Sequence, residues 1–379
     1  MKRILKRIGS GLLVLMVLSV LLSVALSVRP KVTYEYEPFS MEPMDLPDSR
    51  LLALGTCTHG NAEPFEAAEW LLEQLLEEHG SAALILEENV GDAAFAGQLH
   101  SFCENDVWFG FSNVYRNPQS EDLLQFLGDN GIRLYGNDVQ MIERTCRLLA
   151  EGLSGYENAV SLETLYEYDE NPEQGLAIIE AAEQYCAGIP DPAQRDWYLH
   201  LLNAVRQHYE LVASDTPFDT RDRIMAENTL WAMNYEKTYY GNDHALLFAH
   251  NGHVCVNDHT IQKRGFECTT QGHHLKQALG ENYFVILTDA NRSAFTVGGS
   301  EQPYLIHRNR TDWPEEQIAW KRSSELEHSG HEVWDTLWVG ALWKHAWSHF
   351  PSQYTVSIPT ECFDALLLFR EMTPAIYLK

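Results

Sequence analysis

Polar side chains that can carry out acid–base chemistry follow three apolar runs of this sequence. His59 stands in the stretch LGTCTHGNAE, Glu87 follows the run AALIL, and His250 and His253 stand in the stretch FAHNGHV. An imidazole with a pKa near neutrality can take a proton from water and return it to a leaving group. A carboxylate can orient that imidazole or hold the water. These residues therefore indicate hydrolysis, with His59, Glu87, His250 and His253 as the catalytic candidates.

Further polar side chains stand close to these four in the sequence and are candidates for contacting substrate or supporting the site. Gly55 and Gly60 flank His59, and they let the backbone turn tightly and approach a substrate closely. Their N–H groups could also meet a developing oxyanion near the helix predicted to begin at Pro64. The supporting candidates along these strand ends are Thr56, Cys57, Glu63, Asp138 and Asn251.

The elements that would position these residues alternate along the first third of the chain. Apolar runs predict strands at Leu51–Gly55, Ala82–Leu86 and Ile132–Tyr135, and helical periodicity predicts helices between them at 64–79 and 120–131. Strands and helices that alternate at this spacing indicate right-handed crossovers and a parallel sheet. Strand patterns return at His244–His253, Tyr283–Asp289 and Phe363–Glu371.

Helical stretches fill residues 139–242, where apolar residues recur three and four apart. We interpret this region as an insertion packed over the sheet, whereas residues 313–347, rich in Trp, His and Glu, receive no assignment. The predicted fold is α/β, a mainly parallel sheet flanked by helices with an inserted helical lid or bundle. Ligands bind beyond the carboxyl ends of strands in such a sheet, so the candidates should meet there. A distance above about 10 Å from His59 to both His250 and Glu87 would contradict this.

The first 28 residues have the pattern of an export segment. Four basic residues precede residues 8–28, which carry no charge and would span about 31 Å as a helix, enough to cross a bilayer core. The basic residues keep that end in the cytoplasm, so the body should lie outside it. We favour an uncleaved anchor in the cell membrane, and the alternative is a signal peptide cleaved near Ala25-Leu26-Ser27, which would give a secreted protein. Residues 29–49, with four prolines, are predicted to be a tether, and 50–379 the catalytic domain.

Charge and cysteine content exclude other classes of protein. The chain of 379 residues has 27 basic and 54 acidic residues, and the first 31 residues hold six of the basic ones and no acid. The remaining body is therefore strongly acidic, and nucleic acid is not an expected partner. The seven cysteines are widely spaced without a CxxC motif, so a cysteine-based zinc site is not expected.

An ordered set of motifs resembles the erythromycin esterase family. The motifs are THGNAE, LEEN, LYGND, RDRIMAENTLW, FAHNGHV and FDALLLFREMTP, and they run from Leu51 to the C-terminus in the family's order. The resemblance implies an α/β fold with an inserted helical lid, a cleft between the two, and hydrolysis of esters or macrolide lactones without a tightly held metal. By position, His59 matches the family's catalytic histidine.

The same resemblance implies roles for other residues and also shows a departure. Glu87 matches the glutamate of the second strand, His250 and His253 match the HNxH pair, and Arg221 and Asn228 match helix positions near the cleft. The family has a glutamate three residues before the histidine and an arginine nine residues after it, where this chain has Thr56 and Ala68. A threonine cannot act as a base. Cys57 is not favoured as a substitute nucleophile, because a reactive cysteine needs a lowered pKa.

Three functions remain open at this stage. The first is a hydrolase of small-molecule carboxylic esters or lactones that needs no cofactor. The second is a metal site in which His59, Glu87, His250 and His253 bind a divalent ion. The third is a ligand-binding homologue whose chemistry has been weakened by the change at Thr56. Macrolide resistance does not follow from the resemblance, because macrolides act inside the cell and this body is expected outside it.

Overall fold

The computed structural model describes residues 39–41, 46–99, 112–259, 261, 268–297, 303–340, 347–348 and 350–376, together with 16, 18 and 19. Apart from residues 16, 18 and 19, the predicted anchor at 8–28 lies outside these residues, as does most of the predicted tether. Within the described part of the chain, no helix is long and apolar enough to cross a bilayer. The membrane segment therefore stays a prediction.

Ten strands form the sheets of the described chain. They are β1 (Leu51–Thr56), β2 (Ala83–Asn89), β3 (Arg133–Asp138), β4 (Ala245–His250), β5 (Tyr283–Phe295), β6 (Tyr304–His307), β7 (Ile318–Arg322), β8 (Val333–Leu337), β9 (Thr355–Pro359) and β10 (Ala365–Met372). The main sheet has the order β3-β2-β4-β1-β5-β10-β7, with β6 paired to β5. Strands β1 to β5 and β10 are parallel, and β6 and β7 are antiparallel to their neighbours. The predicted α/β fold with a mainly parallel sheet is confirmed.

Thirteen α-helices connect and cover these strands in the described residues. They are α1 (Glu63–His79), α2 (Val90–Leu99), α3 (Ser112–Tyr115), α4 (Pro118–Asn130), α5 (Glu143–Gly152), α6 (Ala159–Glu163), α7 (Pro172–Cys186), α8 (Pro192–Val212), α9 (Pro217–Tyr240), α10 (Asn251–Val254), α11 (Gln271–Leu279), α12 (Ser323–His328) and α13 (Pro351–Tyr354). Proline opens several of them, where a missing N–H costs nothing. Helices α1 and α9 end at Gly80 and Gly241, which adopt left-handed φ values of 74° and 70°.

Apolar residues of the central strands bury both faces of the main sheet. In β1, Leu52 and Leu54 pack in a cluster with α1 and α4, whereas Leu51 and Ala53 pack in a second cluster with α9 and α11. Successive strand side chains point to opposite faces, so an apolar run is what a strand covered on both sides requires. Full burial of each leucine side chain contributes roughly 1.5–3 kcal/mol. The result is a three-layer arrangement of helix, sheet and helix.

Helices α5 to α9 fill the predicted insertion between β3 and β4 and have an apolar cluster of their own. Leu149 and Leu201 are fully buried in that cluster. Helix α9 joins the two parts, because its Ile224 packs in this cluster while its Met233 packs against the sheet. The first turns of α9 consequently lie beside the carboxyl ends of the central strands.

The structure differs from the sequence prediction in two secondary-structure assignments. The strand predicted at His244–His253 ends at His250, and Asn251–Val254 form the short helix α10, whose N-terminal Gly252 N–H donates to His250 Nδ1. Residues 313–347, left unassigned from the sequence, contribute β7 to the edge of the main sheet and β8 to a two-stranded sheet with β9. The edge strand β7 is antiparallel, so it does not fit the alternation of helix and strand on which the sequence prediction was based.

Candidate active site

The loop that follows β1 holds His59 in a fixed place. The backbone N–H of Cys57 donates to Thr288 Oγ1 at 3.1 Å, and Asn61 Nδ2 donates to the carbonyl of Ala294 at 2.7 Å. Both contacts tie the loop to β5, the neighbour of β1 in the sheet. His59 is therefore presented from a short loop anchored on both sides.

Packing explains the two glycines that flank His59. A Cβ atom at Gly60 would lie 1.8 Å from the carbonyl oxygen of Thr296, and one at Gly55 would lie 2.3 Å from Asn251 Oδ1. Neither glycine has a left-handed φ. Close approach of neighbouring chain therefore requires these glycines, rather than the tight turn beside a substrate that the sequence suggested.

His59 is half-buried beside a second imidazole. Its ring centroid lies 4.9 Å from that of His250, with the planes at 34°. Within the described residues, the His59 ring nitrogens make no hydrogen bond, and the ring lines a cavity of about 10 Å³ next to Thr56. Burial lowers the pKa of His59 below its usual 6.5. The positive charges of His253 and Arg221 lower this pKa further, whereas the Glu87 carboxylate opposes the shift. His59 is therefore neutral at pH 7, as a general base must be.

Glu87 connects the two strands that flank the site. Its Oε2 accepts a hydrogen bond from the backbone N–H of His250 at 2.8 Å, and its Oε1 accepts from Arg221 Nη2 at 3.1 Å. His253 Nε2 lies 3.3 Å from the same Oε1. Burial would raise the pKa of the Glu87 carboxyl, but His253, His59 and Arg221 outweigh it and hold the pKa well below 4.5. Glu87 is therefore a buried carboxylate with both oxygens engaged.

Arg221, from the second turn of α9, balances the negative charge at these strand ends. Its Nε lies 3.2 Å from both oxygens of Asp138, and its Nη2 lies 2.8 Å from Asp138 Oδ2. Arg221 and Asp138 are both buried. Planar contacts of this kind favour arginine over lysine, and they join α9 to the end of β3.

His253 lies between two carboxylates. Its Nδ1 is 2.9 Å from Asp222 Oδ1, and its Nε2 lies near Glu87 and 3.1 Å from Arg221 Nη1. Burial lowers the pKa of His253, but Asp222 and Glu87 outweigh this and raise the pKa to about 10. Asp222 and Glu87 therefore favour the imidazolium form of His253 at neutral pH, and its Nδ1–H donates to Asp222. Its charge partly offsets those of the two carboxylates beside it.

His250 has its tautomer set by the turn that follows it. The N–H of Gly252 donates to His250 Nδ1 at 3.1 Å, so the neutral ring carries its proton on Nε2. Trp338 packs against the ring at right angles, with centroids 5.1 Å apart. The site thus places a hydrogen-bond donor, His250 Nε2–H, on the imidazole next to the neutral His59.

Two predicted supporting residues lie away from this cluster. The Cys57 thiol donates to Met372 Sδ, and burial raises its pKa above the usual range, so it cannot act as a nucleophile. Glu63 Oε1 accepts from the Thr373 N–H at 2.6 Å and from its hydroxyl at 2.7 Å, and burial raises the Glu63 pKa to about 7. Glu63 therefore holds the chain after β10 rather than a substrate.

Two further candidates support strand ends. Asn228 Nδ2 donates to the carbonyl of Asn137 at 3.0 Å, and Asn251 Nδ2 donates to the carbonyl of Thr288 at 2.9 Å. Both asparagines are buried. Asn228 thus satisfies a backbone carbonyl near the end of β3, and Asn251 satisfies one in β5 just beyond its pairing with β1.

Three residues of the site were not predicted from the sequence. Asp222 is next to Arg221 in the RDRIM motif, and its acidic side chain was a signal that could have identified it. The Tyr115 hydroxyl donates to the Glu87 carbonyl at 3.1 Å, and this ring lines the cavity beside His59. Trp338 comes from the unassigned region and gave no signal.

The four catalytic candidates do not fit a metal ion. Both nitrogens of His253 face carboxylates, and the Arg221 guanidinium contacts Glu87, so an added cation would meet two positive charges. Among the described residues, these four are not part of any group of three ligand atoms within 4.8 Å of one another. The arrangement is that of a hydrogen-bonded ion cluster next to a neutral imidazole.

A family model and three solved structures are similar to this chain. The erythromycin esterase family model matches residues 76–372, so the match begins within α1, after His59. No curated protein matches the chain.

Three solved structures share the fold at low sequence identity. A Bacillus cereus protein has a TM-score of 0.68 and 17% identity over 87% of this chain and 90% of its own. A succinoglycan biosynthesis protein has a TM-score of 0.64 and 16% identity over 87% and 90%. A mutant of the erythromycin esterase EreC in its open conformation has a TM-score of 0.58 and 14% identity over 87% and 92%.

The family match covers well over half of the chain, and the fold is shared with a solved erythromycin esterase. The resemblance seen in the ordered motifs is thereby confirmed. The chain belongs to the erythromycin esterase family of ester-bond hydrolases.

Proposed function

We propose that this protein hydrolyses a carboxylic ester or lactone of a small molecule, with His59 as general base for the attack of water. Family membership supports hydrolysis of ester bonds. The arrangement that carries the mechanism is the His59 ring, which lines a small cavity beside His250, together with His253 held between Asp222 and Glu87. His59 is neutral beside His250, and His253 is an imidazolium held by Asp222 and Glu87.

The proposed reaction has two steps. In the first, His59 accepts a proton from water while the water oxygen bonds to the ester carbonyl carbon, and the carbonyl electron pair moves to its oxygen. His250 Nε2–H can donate to that oxyanion, and the positive charges of Arg221 and His253 lower its energy. In the second, the carbonyl re-forms, the bond to the alcohol oxygen breaks, and His59 returns its proton to the alkoxide. The products are a carboxylic acid and an alcohol, or a hydroxy acid from a lactone.

Thr56 occupies the position where the family has a glutamate, and it gives this site a different water contact. Its Oγ1 is buried and has no hydrogen-bond partner among the described residues, and it faces the cavity that His59 also lines. A cavity of about 10 Å³ has room for about one water. We infer that the Thr56 hydroxyl holds the attacking water, because a hydroxyl can orient water although it cannot take its proton.

We also propose that residues 8–28 anchor the protein in the membrane, with the catalytic domain outside the cytoplasm, or that they form a cleaved signal that leaves the protein secreted. The four basic residues before an uncharged run of 21 residues support this. The substrate would then be an extracytoplasmic ester or lactone.

The test is hydrolysis of a panel of aryl esters, alkyl esters and lactones, including a macrolide, by the wild type and three variants. His59→Gln should lose about 10²–10⁴-fold in kcat/KM, because the base is removed. Thr56→Val keeps the shape of the side chain but should lose about tenfold in kcat, roughly the contribution of one hydrogen bond. His307→Gln, which changes an exposed histidine, should match the wild type.

Melting temperatures separate chemistry from folding in this assay. His59→Gln and Thr56→Val should melt within a few degrees of the wild type. Full activity of His59→Gln would show that another group is the base. A wild type that hydrolyses nothing in the panel, while one of these compounds raises its melting temperature, would instead support the ligand-binding homologue.

A further inference from the structure

A second cluster of metal-ligating side chains lies at the opposite end of the sheet from the catalytic candidates. Asp48 precedes β1, His79 is the last residue of α1, and His244 immediately precedes β4. One ligand atom from each of the three lies within 4.8 Å of the others, and no other such group occurs in the described ranges. His244 and His250 are at opposite ends of β4, so the two clusters are about 20 Å apart.

The two imidazoles of this cluster each have a ring nitrogen within 4.8 Å of the other. The rings of His79 and His244 stack with centroids 3.6 Å apart and planes 4° apart. Two nitrogen ligands of a tetrahedral Zn²⁺, each about 2.0–2.1 Å from the ion, are about 3.4 Å from one another. Because the lone pair of an imidazole nitrogen lies in the ring plane, the stacked rings must tilt for both nitrogens to bind one ion.

A backbone carbonyl prepares one of these rings for binding. His244 Nδ1 lies 3.3 Å from the carbonyl oxygen of Ser49. A neutral ring that donates its Nδ1 proton to this carbonyl keeps a lone pair on Nε2, which is how many metal-binding histidines are oriented.

The nearby charges also suit a cation. Arg50, two residues after Asp48, donates to Asp243 Oδ1 at 2.7 Å, and Lys237 donates to the other oxygen of the same carboxylate at 2.7 Å, so both cations are held at Asp243. The carboxylate of Glu78 lies 3.8 Å from His79 Nε2 and adds negative charge at the rim.

We propose that Asp48, His79 and His244 bind one Zn²⁺ ion, with water completing a tetrahedral site. Two imidazoles and a carboxylate are ligands that zinc prefers, whereas Ca²⁺ and Mg²⁺ prefer all-oxygen sites. The ion would join the chain before β1 to the end of α1 and the start of β4. It would thereby fix where the tether enters the domain, and it would act independently of hydrolysis.

The test is zinc binding by the full-length protein after treatment with a chelator, measured by competition with a chromogenic zinc indicator. The wild type should bind one zinc ion per chain. His79→Ala and His244→Ala should each weaken binding at least about tenfold, since each removes a ligand. His307→Gln should bind like the wild type. Zinc should also raise the melting temperature of the wild type and not of the ligand variants.

His59→Gln distinguishes this site from the catalytic cluster. This variant should keep full zinc binding. The proposal would be overturned if His59→Gln lost zinc binding while His244→Ala kept it. Absence of stoichiometric binding in the wild type would also overturn it. Should His244→Ala not fold, Asp48→Asn, which changes an exposed residue, provides the same comparison. Because zinc binding is measured without substrate, its outcome is separate from that of the hydrolysis assay.

Discussion

Neighbouring charges set the opposite protonation states of two histidines within one site. His59 borders a small cavity, where burial favours the neutral ring and the pKa falls below 6.5. His253 is buried as well, but Asp222 and Glu87 contact its two nitrogens and raise its pKa to about 10. Two groups whose environments separate their pKa values in this way can divide the roles of base and cationic stabiliser.

The pH dependence of hydrolysis should report both values. As pH rises, kcat/KM should increase through a pKa below 6.5, where His59 loses its proton and becomes a base. It should then stay constant and fall near pH 10, where His253 loses the charge that orders Glu87 and stabilises the oxyanion. Measurement of kcat/KM between pH 4.5 and 11 checks this profile.

Asp222→Asn provides the control for that assignment. Removal of the carboxylate that raises the His253 pKa should move the falling limb to lower pH and leave the rising limb in place. A falling limb that does not move in Asp222→Asn would mean that His253 does not control it.

At the scale of elements, the site depends on loops and helix turns that are held by backbone contacts. The loop after β1 is tied to β5 through Cys57 and Asn61, and Gly60 packs directly on the backbone of Thr296. Helix α9 adds the adjacent residues Arg221 and Asp222, which both contact His253. The precision of the site therefore comes from four strand ends and one helix that are packed against one another.

Gly60→Ala tests this packing. Its Cβ atom would overlap the Thr296 carbonyl oxygen, which is backbone and cannot rotate away, so the free energy of unfolding should fall by about 1–3 kcal/mol or more. Gly340→Ala, where no atom of the described residues lies within 4 Å of the added Cβ, should change it by less than about 0.5 kcal/mol. Urea denaturation of the two variants and the wild type measures the difference. Equal stability of the two variants would show that the loop can move aside.

At the scale of the whole molecule, the alternation of strands and helices was sufficient to predict the parallel sheet, and strand ends were sufficient to place His59, Glu87 and His250. Side-chain direction beyond a strand end was not predictable. Cys57 packs in the same apolar cluster as Leu54, because the alternation of faces stops where β1 ends.

The remaining differences between the predicted and the observed site come from contacts between residues that are distant in sequence. Glu63 is close to His59 in the sequence but contacts Thr373, which follows the last strand. The packing of Trp338 on His250 depends on a segment without a periodic pattern. No local signal encodes such contacts, because they arise only when the sheet is assembled.

Fractionation of cells that express the full chain tests the proposed anchor. In a bacterial host, the full chain should sediment with membranes, and its domain should be digested by protease added to spheroplasts. A chain that starts at residue 29 should stay soluble inside the cell, because it lacks the apolar segment and its basic flank. A cleaved signal would give a soluble periplasmic protein shorter by about 27 residues. Recovery of the uncleaved full chain in the cytosol would contradict both forms of the proposal.

Pairing of β2 with β4 extends only to Leu86 and Phe248, and beyond that point the Glu87 carboxylate accepts the N–H of His250. The Glu87 side chain, which contacts His253, thus also joins β2 to β4 beyond the last paired residues. Substitution of Glu87 should therefore impair both the proposed catalysis and the packing of the two strands. A related protein without the catalytic activity is still expected to need the glutamate for its fold.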